Sequence, residues 1–370
     1  MKRIGSLCVA VVALSLAACA DDAHGPVGLA DASAVASNSD NDGLTRLGFV
    51  SRNLYIGTNL DPVVQALASP TLADDVPALI GAINDINATD WPARVVAIAD
   101  EIEKEKPQVI ALQEAWDVNV NLAALGLNVV VDLDFLASLE AELARRGLNY
   151  QTVASFSGVT AAPFPGISVI DRDVLLVDPS RVTVDAASVT SAAFLANIGA
   201  VAPGVVVRRG WVAIDATIDG ETMRLVSTHL ESGQGAALTQ LRAFQTGQLM
   251  QVLAAAPRAV VMGDFNDTPT SPMYGLVSGA GFADVWRAMR PGVEGYTCCH
   301  AEVLDNARAQ DAFTQRIDYI FVRGFSADNG RLLGRVALLG TTAEDRLQGP
   351  SWMLWPSDHA GLALELLVTP

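Results

Sequence analysis

The chain has 370 residues, 51% of them hydrophobic and 18% charged. That is enough apolar material for one large core with appendages. Twenty-four Lys and Arg stand against 41 Asp and Glu, a formal charge of −17 at pH 7. No basic stripe breaks that acidity beyond short pairs such as Arg145-Arg146 and Arg208-Arg209, which excludes the electrostatic footprint of a generic duplex-binding protein.

Lys2-Arg3, an apolar stretch from Ile4 to Ala18 and then Cys19 have the form of an export signal, too short to span a membrane as a helix. The last four residues of that stretch, Leu16-Ala-Ala-Cys19, resemble the lipobox of bacterial lipoproteins. The resemblance implies a signal peptide over residues 1–18, cleavage before Cys19 and lipid on its sulfur. The protein would then sit on the cell envelope, exported from the cytoplasm and held to the membrane through its N-terminal lipid. Residues 20–45 carry five Asp, His24 and no Lys or Arg. Such a composition buries no core, so residues 19–45 are expected to be a lipidated Cys and flexible tether, with the folded domain over 46–370.

Strands and helices then alternate. The first strand is expected over Leu47–Leu54, followed by a long Pro-containing connection (55–89) with a short helix near Val76–Ile83. Asp90 should cap a helix running to about Glu105, stopped by Pro107, and Val109–Leu112 reads as a strand. Phe135, Leu136, Leu139 and Leu143 mark an amphipathic helix ended by Gly147. Strands are expected at Tyr150–Phe156 and Ser168–Val177, and a hairpin or surface loop over the Ala- and Ser-rich 182–203. Val205–Ile218 and Thr222–Thr228 should pair about Asp219-Gly220. A helix over roughly 236–255 precedes a buried strand from Ala259 to Met262, with further strands at 316–322, 333–339 and 361–368. No internal repeat is visible.

Six short segments border these strands with polar residues. Asn53 ends the first, and Gln113-Glu114 follows the second. Ser-Thr-His229 follows an apolar run, Gly263-Asp-Phe-Asn266 ends the central strand, Arg316-Ile-Asp318 opens another and Ser357-Asp-His359 precedes the last. On an extended backbone Asp264 and Asn266 would share a side and Phe265 would point into the core.

In this order the motifs resemble the endonuclease/exonuclease/phosphatase superfamily, the fold of pancreatic-type deoxyribonuclease, abasic-site endonucleases, neutral sphingomyelinases and inositol-polyphosphate phosphatases. The resemblance runs from Asn53 to His359. It implies an α/β four-layer sandwich: two mixed β-sheets packed face to face between helical layers. Without it, the alternation of elements gives α/β only.

Hydrolysis of a phosphate ester needs a cation to offset charge on the phosphoryl oxygens, a polarised water and a proton donor for the leaving oxygen. Hard divalent ions choose carboxylate oxygen, so Glu114 is the first ligand candidate for Mg (or Mn). The resemblance adds Asn53 beside the metal and Asp358 to its shell. It also matches His229 and His359 to paired catalytic imidazoles, with Asp318 orienting His359 and Asp171 (or Asp173, two residues on) partnering His229. Asp264 and Asn266 match the pair that positions the water and the phosphate, and the base is left open between Asp264 and a histidine. The expected activity is metal-dependent phosphodiester or phosphate-ester hydrolysis by in-line attack of water. The substrate is open among nucleic acid, a phospholipid head group and a small phosphate ester, and no obligate protein partner is expected. The alternative is an inactive member kept as a surface binding protein, and the retention of Glu114, Asp264, Asn266, Asp318 and His359 favours the enzyme. Cys298 and Cys299, beside His300, have no second Cys/His pair at structural-zinc spacing, and their redox state is open.

Overall fold

A computed structural model describes residues 43–308, 312–326, 330–349 and 353–369. The expected signal, lipidated Cys19 and most of the tether lie outside the described residues.

The chain runs β1 (Thr45–Asn53), α1 (Asp61–Ala68), α2 (Asp75–Ala88), α3 (Trp91–Glu105), β2 (Val109–Gln113), β3 (Asp117–Asn121), β4 (Val130–Asp134), α4 (Phe135–Arg145), β5 (Gln151–Ala161) and β6 (Ile167–Val177). It continues with β7 (Val182–Ala193), β8 (Gly199–Ala202), β9 (Val205–Val207), β10 (Gly210–Ile218), β11 (Glu221–His229), α5 (Ala236–Val252), β12 (Ala259–Asp264) and α6 (Pro272–Gly279). The last elements are β13 (Ala283–Asp284), α7 (Val285–Met289), β14 (Asp318–Arg323), β15 (Leu333–Leu339), the small β16–β17 pair (Leu347–Gln348 and Met353–Leu354) and β18 (Gly361–Val368).

Two mixed sheets result. The first has the order β15-β18-β1-β2-β6-β5-β9-β8, with the β3–β4 hairpin joined through β3 to β6; the second has the order β13-β14-β12-β11-β10-β7. Period-two alternation decides how they stack. Val109 and Ala111 of β2 pack with Val260 and Met262 of β12 in a core shared by both sheets. Ile110 and Leu112 point the other way, into a cluster with Trp91, Ile98 and Leu139 of the helices. Val261, with Val226, packs outward on Leu249 of α5 and Met273 of α6. The expected four layers are therefore present: helices, sheet, sheet, helices. Strands buried on both faces read as continuous apolar runs, which is why β2 and β12 stood out in the sequence.

Several local expectations change. The 55–89 connection holds two helices, α1 and α2, not one. Residues 182–193 form edge strand β7 against β10, not the hairpin or surface loop expected over 182–203, their exposed Ala, Ser and Thr being the solvent face of that edge. The β3–β4 hairpin was not foreseen. The single strand expected over 205–218 divides at Arg208-Arg209: β9 pairs with β5 in the first sheet and β10 joins the second. Asp90 does cap α3, accepting from the Ala93 amide at 3.2 Å.

Candidate active site

Sheet register builds the site. His229 and Asp264 are partners in the parallel β11–β12 ladder, and Asp264 and Asp318 are partners across β12–β14. In the opposing sheet Asn53 pairs with Gln113, placing Glu114 one residue beyond that strand's end. Gln113 itself does not face the site. Its side-chain amide donates to Ser227 Oγ at 3.1 Å, a buried polar tie between the two sheets beneath these strand ends. Gly263 lets β11 and β12 approach. A Cβ there would stand 1.9 Å from the Thr228 carbonyl oxygen, and its φ of +154° disfavours any side chain.

The expected residues converge on one oxygen. Asp264 Oδ2 accepts from Asn53 Nδ2 at 3.3 Å and faces His229 Nε2 at 3.6 Å and His359 Nε2 at 3.9 Å. Its other oxygen accepts the Asn266 amide at 2.8 Å. The extended geometry expected for Asp264 and Asn266 is corrected here. β12 ends at Asp264, and Asn266 turns through a left-handed φ of 51°, its side chain donating to the Leu230 carbonyl at 3.0 Å. Phe265 is fully buried, as the alternation required.

His359 is held from several directions. Its Nδ1 meets Asp318 Oδ2 at 2.8 Å, its backbone N–H donates to Ser357 Oγ, and its carbonyl accepts from Arg52. Burial works against a charge on this ring, but Asp318, Asp358 and Asp264 together hold its pKa well above the ordinary value. His229 is the opposite case. Burial, then Arg209 and His359, pull it well below the ordinary value.

The partner expected for His229 is not the one the structure provides. Arg209 Nη1 lies 3.0 Å from His229 Nδ1 and 3.4 Å from Asp171 Oδ2, so a guanidinium stands where a carboxylate was expected. Asp173 Oδ1 is 3.9 Å from the same ring nitrogen, beyond hydrogen-bond reach. The buried Glu231 also leans on Arg209, at 3.5 Å. Burial raises Asp171 to about 7 in spite of Arg209. Arg209 was visible in the sequence only as half of a basic pair. Its role follows from its place at the crossover between sheets, where its amide donates to Asn197 Oδ1 and its carbonyl accepts from Phe194.

Glu114, with a left-handed φ of 56°, accepts from Asn53 Nδ2 at 3.0 Å, the Ile56 amide at 3.3 Å and Trp116 Nε1 at 3.0 Å. Burial, reinforced by Glu114, pushes neighbouring Asp358 up to about 6 although His359 opposes it. Glu114 and Asp358 offer hard oxygen donors beside Asn53, whose Oδ1 accepts from the Tyr55 amide, and Asp171, Asp173, Asp264 and Asp318 are buried close by with Arg209. That surplus of buried carboxylate suits a divalent cation, so the residues present fit one. Asp264, Asp318 and His359 also gather ligand atoms within 4.8 Å of one another, but His359 Nδ1 is already engaged by Asp318. Cys298 and Cys299 are neighbours beside the site, and Cys298 bridges to the His359 backbone.

The model of the Endonuclease/Exonuclease/phosphatase family matches residues 81–359. The chain belongs to this family. Its members are typically metal-dependent phosphoesterases, generally requiring a divalent ion. Among solved structures, the chain is similar to a Bacteroides thetaiotaomicron endonuclease/exonuclease/phosphatase family protein, at 17% identity and a TM-score of 0.52 over 88% of this chain and 98% of that one. It is also similar to the human nocturnin catalytic domain with bound sulfate, at 18% identity and 0.50 over 87% and 93%. D. rerio TDP2 in complex with a single-strand DNA product gives 18% and 0.50 over 87% and 99%. At these identities the likeness is one of fold. No curated protein matches.

Proposed function

We propose that the chain hydrolyses a phosphate ester or phosphodiester with the help of a divalent metal, Mg or Mn. The observation that carries this reading is the convergence of Asn53, His229 and His359 on Asp264 Oδ2. Asn53, Glu114 and Asp358 would hold the ion, which when bound offsets charge on the phosphoryl oxygens.

The hydrogen bonds divide the remaining labour. An arginine only donates, so His229 Nδ1 must accept from Arg209 and its Nε2 carries the proton. His229 is therefore a donor toward the site. His359 Nδ1 donates to Asp318, and the surrounding carboxylates favour a second proton on Nε2, which also faces the site as a donor. Two donors suit non-bridging phosphoryl oxygens. That leaves Asp264 Oδ2 to orient the water and accept its proton, while the Asn266 amide occupies Oδ1 and fixes the carboxylate plane. Water attacks phosphorus in line, its proton passes to Asp264 Oδ2, and the bond to the leaving oxygen breaks as that oxygen takes the Nε2 proton of the charged His359.

The same reading places the protein on the cell envelope, supported by Leu16-Ala-Ala-Cys19 and the acidic stretch after it. Substrate choice is tested by incubating the purified chain with plasmid DNA, RNA, sphingomyelin and inositol phosphates, with Mg²⁺ and with EDTA. Metal-dependent release of product from one class supports the reading, and no hydrolysis of any class overturns it.

A further inference from the structure

His229, whose Nε2 faces Asp264 Oδ2 at 3.6 Å, stands at one end of a cavity of about 600 Å³. Glu114, Arg209, His229 and Asp358 line its polar end. Most of the remaining wall is hydrocarbon, though Thr58, Asn59, Asp61, Ser232, His300 and Glu302 also line it. Leu67 of α1 and Ile83 of α2 face it from one side, and Val120 of β3, Ile167 of β6 and Val205 of β9 from the other. The lining reaches the surface at Ile198, which is 46% exposed, and the next residues back toward β7 include Leu195 at 84%.

Protein interiors pack closely, and a space of this size, continuous with a polar site, is the form a ligand pocket takes. Its contents can be narrowed by chemistry. A base or sugar extending along the hydrocarbon part of this wall would bring donors and acceptors that find few partners, each unpaired one costing its lost hydration. A second phosphate would meet a protein of net charge −17. A hydrocarbon chain brings neither penalty and gains from every methylene it takes out of water. Water alone would find few hydrogen-bond partners along such a lining.

We infer that the substrate is an amphiphilic phosphate ester, its phosphate beside Asp264, His229 and His359 and its linear hydrocarbon chain lying in the cavity between α1–α2 and the first sheet. The phosphate end rests on the hydrolytic reading above; the hydrocarbon end rests on the cavity alone. The groove thus reads a single chain by length, and the polar end reads the phosphate.

Binding decides it without turnover. The full chain is titrated calorimetrically with hexyl-, octyl-, decyl- and dodecylphosphonate, whose carbon–phosphorus bond resists hydrolysis, below their micelle concentrations and with Mg²⁺ present. The dissociation constant should fall about fourfold for each added methylene, the equivalent of ~0.8 kcal/mol per buried CH₂, until the cavity is full. Ile83→Trp should bring that plateau to a shorter chain and leave hexylphosphonate binding in place, and Val120→Phe should do the same from the opposite wall. Should neither variant fold, the length series on the native chain decides alone. Equal affinity from hexyl to dodecyl, a length dependence untouched in both folded variants, or tighter binding of a dinucleoside phosphate than of dodecylphosphonate would overturn the inference. Metal-dependent hydrolysis of bis(p-nitrophenyl) phosphate is measured in parallel. If it is present while affinity ignores chain length, only the inference fails; if it is absent while the length dependence holds, only the reaction fails.

Discussion

Arg209 Nη1 lies 3.0 Å from Nδ1 of His229, and this contact fixes which face of the imidazole carries a proton. Both groups are buried, and the ring sits well below its ordinary pKa, so it stays neutral with Nε2–H toward Asp264. Arg209→Gln should therefore lower kcat by about 10²-fold or more. His229→Ala should add little on top, because the two act as one unit. Loss of Arg209 also leaves Asp171, Asp173 and Glu231 without their cation, so a drop in melting temperature is expected as well. Nitrogen NMR of His229 separates the effects: the native ring should show Nε2 protonated. A native ring protonated at Nδ1 would contradict the assignment.

His359 and Asp318, 2.8 Å apart, should behave as a second unit. Asp318→Asn should cost much of what His359→Ala costs in kcat, and the double variant should cost little more than the larger single loss. Kinetics of the four proteins at saturating metal check this. Full additivity would make Asp318 a structural residue.

Gly263→Ala tests the strand register that brings His229, Asp264 and Asp318 together. The added Cβ meets the Thr228 carbonyl at a φ of +154°, so a loss of at least about 2 kcal/mol of stability is expected. Urea unfolding measures it, and an unchanged midpoint would show that β11 and β12 are not held as described.

How much of this was legible beforehand follows from what makes each feature local. Asp264 sits at the end of an apolar run whose two faces are both buried, so strand, turn and carboxylate are all readable within ten residues. Glu114 is read the same way, whereas Asn53, His229, Asp318 and His359 take their roles, and the chain its four-layer fold, from the family resemblance that the order of the motifs carries. Arg209 was not readable, because its meaning comes from a chain that leaves one sheet at Val207 and enters the other at Gly210. Asp171, or Asp173, is matched to His229 by the resemblance alone, and nothing local announces the guanidinium of Arg209 beside that ring. The apolar cavity was invisible too: its walls come from α1, α2, β3, β6 and β9, segments far apart in the chain. Two of those were themselves obscured, α1 by the prolines of the 55–89 connection and β3 by its Asp and Asn, residue types depleted in strands.

The acidity of the chain bears on substrate. With a formal charge of −17 and no basic stripe, duplex DNA should bind only weakly at physiological salt. Fluorescence anisotropy with a labelled duplex measures this, and a submicromolar dissociation constant would bring the nuclease reading forward.

Anchoring is tested at Cys19. Mass spectrometry of the mature N-terminus should find a lipidated cysteine, and Cys19→Ser should move the protein out of the membrane fraction. An unmodified terminus elsewhere would remove the envelope assignment.

The central claim is that Asp264, set among Asn53, His229 and His359, works with a divalent ion held by Glu114. Steady-state hydrolysis of a phosphodiester by the native chain, Asp264→Asn and Glu114→Gln, each verified as folded by circular dichroism and each with and without EDTA, tests it most directly. The account predicts that EDTA abolishes native turnover, that Mg²⁺ or Mn²⁺ restores it, and that Asp264→Asn loses about 10²–10⁴-fold in kcat at saturating metal. Glu114→Gln should lose most activity, with part recovered at high metal. Native turnover that persists in EDTA, or near-native kcat in folded Asp264→Asn, would contradict the account.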